Sequence, residues 1–275
     1  MKINFIGAGN MASALIKGLI NDGQNPTDIS VMDISADARG RAKKLGLFAT
    51  DNVASLPTAA VYVLAVKPQQ MESAIRPLGG KISNSLVLSV AAGVSIKVLR
   101  NWLGDRQEAI RAMPNTPSLI GSGFTGLYAD SSLSIRSKDL SEKIMKTVGK
   151  VVWLPDERSL DAITAISGSG PAYVFYFIEA MEKAAIDLGL DRDIAREAVV
   201  TTFLGASELI SMKNDTAGEL RAKVTSKRGT TEEAIRVFNN NQTKNLINEA
   251  VIAAYERSLE ITLELENDAE DSKNE

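Results

Sequence analysis

The stretch Gly7-Ala8-Gly9-Asn10-Met11-Ala12 follows a short apolar run and precedes a segment with Leu15, Leu19 and Ile20 at helical spacing. Glycine in the first position permits a tight turn. Gly9 lets the backbone approach a pyrophosphate, and Ala12 allows close packing of helix on strand. The N–H groups that open the helix would face the anion. A Gly-rich strand-to-helix turn without any ligand looks the same in isolation, but the strand before it, the helix after it and an acidic residue ending the next strand together make a dinucleotide fingerprint. That acidic residue is Asp33, roughly 20 residues past the glycines, where a carboxylate can accept hydrogen bonds from an adenosine ribose and repel a 2′-phosphate. Taken alone it points to NAD(H). Asp33 can equally be read as the N-cap of a helix over 35–45, and the two roles can coexist. A second block, Ala65-Val66-Lys67-Pro68, falls after an apolar strand at the edge of the sheet where such folds bind ligands. Its plain reading is a Pro-started helix with an exposed lysine.

The chain of 275 residues contains neither cysteine nor histidine. Thiolate nucleophiles, His-based triads, disulfides and the usual zinc ligands are excluded together, and no metal is expected. Chemistry must therefore come largely from a cofactor. With 44% hydrophobic and 24% charged residues, the composition is that of a packed protein with room for two domains. The net charge of −3 and the scattered basic residues offer no stripe for nucleic-acid phosphates. The apolar runs at 59–66 and 172–178 are far shorter than the roughly 20 residues of a membrane helix. The start of the chain shows no signal-peptide pattern, so a cytoplasmic location is expected.

What must position these residues is an α/β domain. Strand-like runs at 3–6, 29–32, 60–66, 86–90, 110–113 and 151–154 alternate with helical stretches, as in βαβ units with a parallel sheet. The run at 60–66 is apolar on both faces and belongs in the middle of that sheet. After Pro155 the period becomes helical, over 156–166, 170–188, 191–212, 215–223, 230–238 and 243–265. The division is therefore a Rossmann-type dinucleotide-binding domain at 1–155 and an all-helical domain at 156–275. The segment 173–178 is apolar nearly all round, which a dimer interface would cover. Residues 266–275 are polar and mostly acidic and are expected to be a frayed tail.

Several further blocks carry a resemblance: Ala65-Val66-Lys67-Pro68-Gln69, Ala91-Ala92-Gly93-Val94, Arg111-Ala112-Met113-Pro114-Asn115-Thr116-Pro117, Ser167-Gly168-Ser169-Gly170-Pro171-Ala172-Tyr173, Val224-Thr225-Ser226 and Gly229-Thr230-Thr231. Singly each is an ordinary turn or helix start. In this order, with the Gly-rich start, they resemble the pyrroline-5-carboxylate reductase family from residue 3 to about 260. The resemblance implies reduction of 1-pyrroline-5-carboxylate to L-proline with NADPH or NADH, the last step of proline biosynthesis. It also implies a helical C-terminal dimerisation domain and a homodimer, with a decamer of dimers as the larger assembly. By matching position, Gly7, Gly9, Asn10, Met11, Asp33, Ala65, Val66, Lys67, Pro68, Ala91, Gly93 and Asn115 would line the dinucleotide, and Asn52 would reach its ribose side. Ser226, Gly229, Thr230 and Thr231 would form the substrate loop. Its backbone N–H groups would hold the substrate carboxylate, and Thr231, the candidate catalytic residue, would bond the ring nitrogen.

The chain departs from the family pattern in three places. Asp33-Ile34-Ser35 stands where many relatives carry Asn-Arg-Ser, the arginine there pairing with the NADPH 2′-phosphate. Ser226-Lys227-Arg228-Gly229 replaces the usual Ser-Pro-Gly-Gly, and Asn214 replaces a glutamate. Two rival readings remain: a related imine or β-hydroxyacid reductase, separable by assay of other imines, and a catalytically inactive NAD(P)-binding regulator.

Overall fold

The strands at 3–6, 29–32, 61–64 and 86–89 are buried on both faces, so each sheet face must be covered by helices. The computed structural model describes residues 1–274 apart from Ser83 and Ser132. Its first part runs β1 (Ile3–Ile6), α1 (Asn10–Asn21), β2 (Ile29–Met32), α2 (Ala36–Lys44), β3 (Phe48–Thr50), β4 (Val61–Leu64), α3 (Pro68–Ile75), β5 (Leu86–Ser89), α4 (Ile96–Leu103), β6 (Ala109–Met113), β7 (Gly123–Tyr128), α5 (Ile135–Lys146) and β8 (Gly149–Trp153). Then come α6 (Ser159–Ile163), a π-turn over Thr164–Gly168, α7 (Gly170–Asp187), α8 (Arg192–Met212), α9 (Ala217–Lys223), α10 (Thr230–Asn240) and α11 (Thr243–Asn274). Two compact units result: Met1–Ser169 together with the chain from Ala254 onward, and Gly170–Ala253.

The first unit holds an eight-stranded sheet in the order β3-β2-β1-β4-β5-β6-β7-β8. On one face Phe5, Val31, Val63 and Leu88 pack against Ala12 and Leu15 of α1 and Ile144 and Met145 of α5. On the other, Ile6, Tyr62, Leu64 and Val87 meet Met71 and Ile75 of α3, and Leu99 and Trp102 of α4. Each fully buried side chain of this kind contributes about 1.5–3 kcal/mol. The run at 60–66 yields β4, an interior strand as expected.

The sheet departs from the expected all-parallel arrangement at β7, which pairs antiparallel with β6 and parallel with β8. Neither β7 nor β3 stood out in the sequence. β7 carries Gly123 and Gly126, and glycine ordinarily weakens a strand. Here packing excludes larger residues: a Cβ at Gly123 would lie 2.2 Å from Ser118 Oγ, and one at Gly126 would press on Leu154 and Ile163.

The expected frayed tail is corrected. Helix α11 continues through Asn274, and Leu265 and Ala269 are buried against the α3–α4 face of the sheet. Ile261, Leu265 and Ala269 recur every four residues, which puts them on one side of the helix, and the acidic residues turn outward. Glu270 pairs with Lys97 of α4 at 2.6 Å. Glu275 lies outside the described residues.

The second unit has little core of its own. Helix α7 buries no residue, and α8 buries Ala195 and Val199. On α7, Val174, Phe175 and Tyr176 are 43%, 64% and 71% exposed. Apolar surface of this extent on consecutive residues calls for cover by another chain. Val174→Glu is expected to weaken both assembly and folding. Light scattering of the unmodified chain that finds a stable, active monomer at micromolar concentration would contradict the requirement for a partner.

Candidate active site

Register decides where the ligand edge lies. Ile6 of β1 is the register partner of Met32 of β2 and of Leu64 of β4, so the residues that follow, Gly7, Asp33 and Ala65, emerge side by side. The chain leaves β1 for β2 on one side and reaches β4 on the other, which makes this the topological switch point where open α/β sheets hold their ligands. The Gly7 N–H donates to Met32 O at 2.7 Å and the Ala65 N–H to Ile6 O at 2.8 Å, closing the edge.

Gly7 has φ +96, and a Cβ there would meet Ala65 O at 2.7 Å. Its conformation and its neighbour both demand glycine. A Cβ at Gly9, by contrast, would meet nothing within 4 Å, so the loop opens onto free space. Helix α1 starts directly from Gly9 with no side-chain cap and no acidic residue in its first turn. Asn10, Met11 and Ala12 therefore present backbone N–H groups at the positive end of the helix, a donor set suited to a pyrophosphate. A dinucleotide fits these residues.

The Asp33 carboxylate fastens the loop to the next strand. Its Oδ2 accepts from the Ala8 N–H at 2.7 Å and its Oδ1 from the Ser35 N–H at 2.8 Å. The N-cap reading of Asp33 is corrected, since Ser35 caps α2 by accepting from the Ala38 N–H. Each carboxylate oxygen keeps a lone pair for a further donor.

Gly7, Gly9, Asp33, Ala65, Val66 and Lys67 line one crevice of about 420 Å³, within the range of cofactor sites. Lys67 is the N-cap residue of α3 and Pro68 its first residue. Ile34, which stands out in the sequence beside Asp33, lines the crevice too, as do Met32, Gln70, Ser73 and Ala74, which were missed in the sequence. The signal for the last three was their helical spacing after Lys67-Pro68.

The other expected cofactor residues lie elsewhere in the same unit. Ala91 is buried, and Gly93 at φ +77 faces Ile261 and Leu265 of α11. Asn52 caps the short turn Val53–Ser55, accepting from the Ala54 N–H. Asn115 spends both ends of its amide on scaffolding: Nδ2 donates to Ser167 O at 3.0 Å and Oδ1 accepts from the Phe124 N–H at 2.9 Å.

The expected substrate loop belongs to the helical unit and sits between α9 and α10. Helix α9 opens with a capping box in which Glu219 accepts from the Thr216 N–H at 2.7 Å and its hydroxyl at 2.8 Å. Those bonds hold the Glu219 carboxyl below its ordinary range. In the loop, the Gly229 N–H donates to Ser226 O at 3.0 Å, and Gly229 is the uncapped N-cap residue of α10. Thr230 and Thr231 are the first two residues of that helix, so Thr231 is not its cap. Arg228 has φ +60 and donates its N–H to Glu232 Oε2 at 2.6 Å. The charged hydrogen bond offsets part of the left-handed strain.

A doubly wound, mostly parallel sheet with a glycine loop, a helix N-terminus and a carboxylate at its switch point defines the class: a dinucleotide-dependent oxidoreductase fold. A family model for pyrroline-5-carboxylate reductase dimerisation matches residues 157–261, and one for NADP oxidoreductase, coenzyme F420-dependent, matches residues 2–93. The pyrroline-5-carboxylate reductase of Pseudomonas aeruginosa is 40% identical over 96% of this chain and 98% of its own length. The structure of the Coxiella burnetii pyrroline-5-carboxylate reductase is 39% identical with a TM-score of 0.88, over 95% of this chain and 98% of that one. The pyrroline carboxylate reductase of Plasmodium falciparum, solved with NADP bound, is 28% identical with a TM-score of 0.87 over the same shares. The chain belongs to the pyrroline-5-carboxylate reductase family.

Gly7→Ala tests the edge directly. The added methyl would push on the Ala65 carbonyl in a backbone conformation that costs about 1–2 kcal/mol outside glycine. A lowered melting temperature and lost binding of reduced dinucleotide are expected. Calorimetry showing unaltered affinity would break the link between the turn and the ligand.

Proposed function

We propose that this chain reduces 1-pyrroline-5-carboxylate to L-proline with NADPH or NADH, completing proline biosynthesis, and that the residues assembled above divide the work. The reading is carried by the crevice at the switch point in a chain alike, along nearly its whole length, to a pyrroline-5-carboxylate reductase. Residues 1–155 would serve as the dinucleotide-binding domain and 156–275 as the substrate and dimerisation domain. The working unit would be a homodimer, with a decamer of dimers as the larger form, in the cytoplasm. No described helix is long and apolar enough to cross a membrane.

When bound, the reduced nicotinamide supplies the hydride that the imine carbon accepts. The N–H groups of Asn10 and Met11 at the start of α1 would hold the pyrophosphate, with Gly9 keeping the approach open. Asp33 would orient the adenosine ribose. Ala65, Val66, Lys67, Pro68, Ala91, Gly93, Asn52 and Asn115 would complete the dinucleotide contacts. On the loop, the N–H groups near Ser226, Gly229 and Thr230 would fix the substrate carboxylate so that one ring face is offered. The Thr231 hydroxyl would bond the ring nitrogen and orient it while the carbon gains hydride. A protonated imine carries that proton itself, so no histidine is required.

The first test mixes purified protein with 1-pyrroline-5-carboxylate and either NADH or NADPH and follows loss of reduced-nicotinamide absorbance. Turnover is expected with at least one; none with either would refute the assignment and favour the inactive regulator. Thr231→Ala tests the finer role. Because Thr231 does not cap α10, the variant should melt within a few degrees of the unmodified protein and bind dinucleotide normally, yet lose on the order of tenfold in catalytic efficiency. Near-normal efficiency would leave the loop backbone as the substrate's main anchor.

A further inference from the structure

One corner at the carboxyl ends of β2 and β3 holds an arginine between two aspartates. Arg39, on α2, turns its guanidinium back to the strand end, where Nη1 donates to the main-chain oxygens of Asp33 at 2.8 Å and Ile34 at 3.0 Å. Its Nη2 lies 3.2 Å from the Asp51 carboxylate; the Arg39 side chain is 20% exposed and that of Asp51 65%. Asp33 itself faces the glycine loop, held by the Ala8 and Ser35 N–H groups. Asp33 and Ile34 both line the crevice, and Arg39 is bonded to the main-chain oxygens of both, which sets the guanidinium directly behind that wall. The formal charges of Asp33, Arg39 and Asp51 sum to one negative charge.

We propose that Asp51 is a specificity-determining residue that disfavours NADPH by occupying Arg39. The inference rests on the reading of the crevice as a dinucleotide site. Forked donation from a guanidinium suits a phosphate on the ribose, and Arg39 already commits Nη1 to two carbonyls and Nη2 to a carboxylate. The carbonyl contacts tether the guanidinium to the end of β2 independently of Asp51. Neutralising Asp51 therefore leaves the cation at the corner but releases the Nη2 edge and removes a repelling charge. A pair with so exposed a carboxylate adds little to stability, which makes a purely structural role a poor explanation for it.

Dissociation constants of NADH and NADPH, measured by calorimetry on the protein without substrate, provide the test. Asp51→Asn should tighten NADPH roughly threefold to tenfold and change NADH by less than about twofold, the size of one partly solvated charge contact. The gain should shrink as salt is raised. It should vanish in the double variant Asp51→Asn with Arg39→Met. Unchanged NADPH affinity in Asp51→Asn, an equal shift for both dinucleotides, or a gain that survives loss of Arg39 would each overturn the proposal. Failure of the unmodified protein to bind either dinucleotide would instead overturn the cofactor assignment on which the proposal stands.

Discussion

The contact between Gly7 and the carbonyl of Ala65 is the constraint on which the ligand edge depends. With Ile6, Met32 and Leu64 in one register row, the next residue of each strand must leave the sheet at the same level. The backbone from β1 has to turn within the width of a single strand, beside the exit of β4. A Cβ in that turn would overlap the Ala65 oxygen, and φ at +96 is open to glycine at little cost. The turn then aims the start of α1 into the gap between the diverging strands. Because α1 begins without a side-chain cap, its N–H groups remain available to an anion.

Asp33 follows from the same geometry. Emerging beside Gly7, it reaches the Ala8 N–H across the edge and the Ser35 N–H within its own turn. The carboxylate thus locks loop to strand while placing negative charge on the wall of the crevice. Arg39 and Asp51 extend this polar corner to β3, so three short strands supply one electrostatic environment. Selectivity at such a corner depends on what each charged group is already bonded to.

Much of this was legible in the sequence, because the glycine spacing, the strand before it and Asp33 are local signals with local causes. The interior position of β4 followed from its apolar character on both faces, and the helical second half from its period. What escaped depended on tertiary partners. The β7 strand is hidden by Gly123 and Gly126, whose identity is dictated by contacts with Ser118, Val148 and Leu154 that exist only in the folded chain. The acidic end of α11 looked unable to pack because charge count concealed the four-residue spacing of Ile261, Leu265 and Ala269. Ser35, not Asp33, caps α2, a choice between two capable neighbours that composition cannot make. Gln70, Ser73 and Ala74 join the crevice through the direction α3 takes after Pro68.

The helical unit raises a different question, since its loop is expected to hold the substrate although α9 and α10 on either side bury no residue. A loop borrows its rigidity from the elements that flank it, and helices without buried faces have little to lend. Glu219 and Glu232 supply local bonds to the chain at Thr216 and Arg228, yet these lie in solvent and are individually weak. Cover for the apolar faces must come from outside this set of contacts, and a family model for dimerisation spans this region. Assembly would then stabilise the fold and also remove the freedom of the loop proposed to hold the substrate carboxylate. Hydride transfer depends on alignment more than on acid–base groups in a protein without histidine or cysteine, so that loss of freedom would itself contribute to the proposed catalysis.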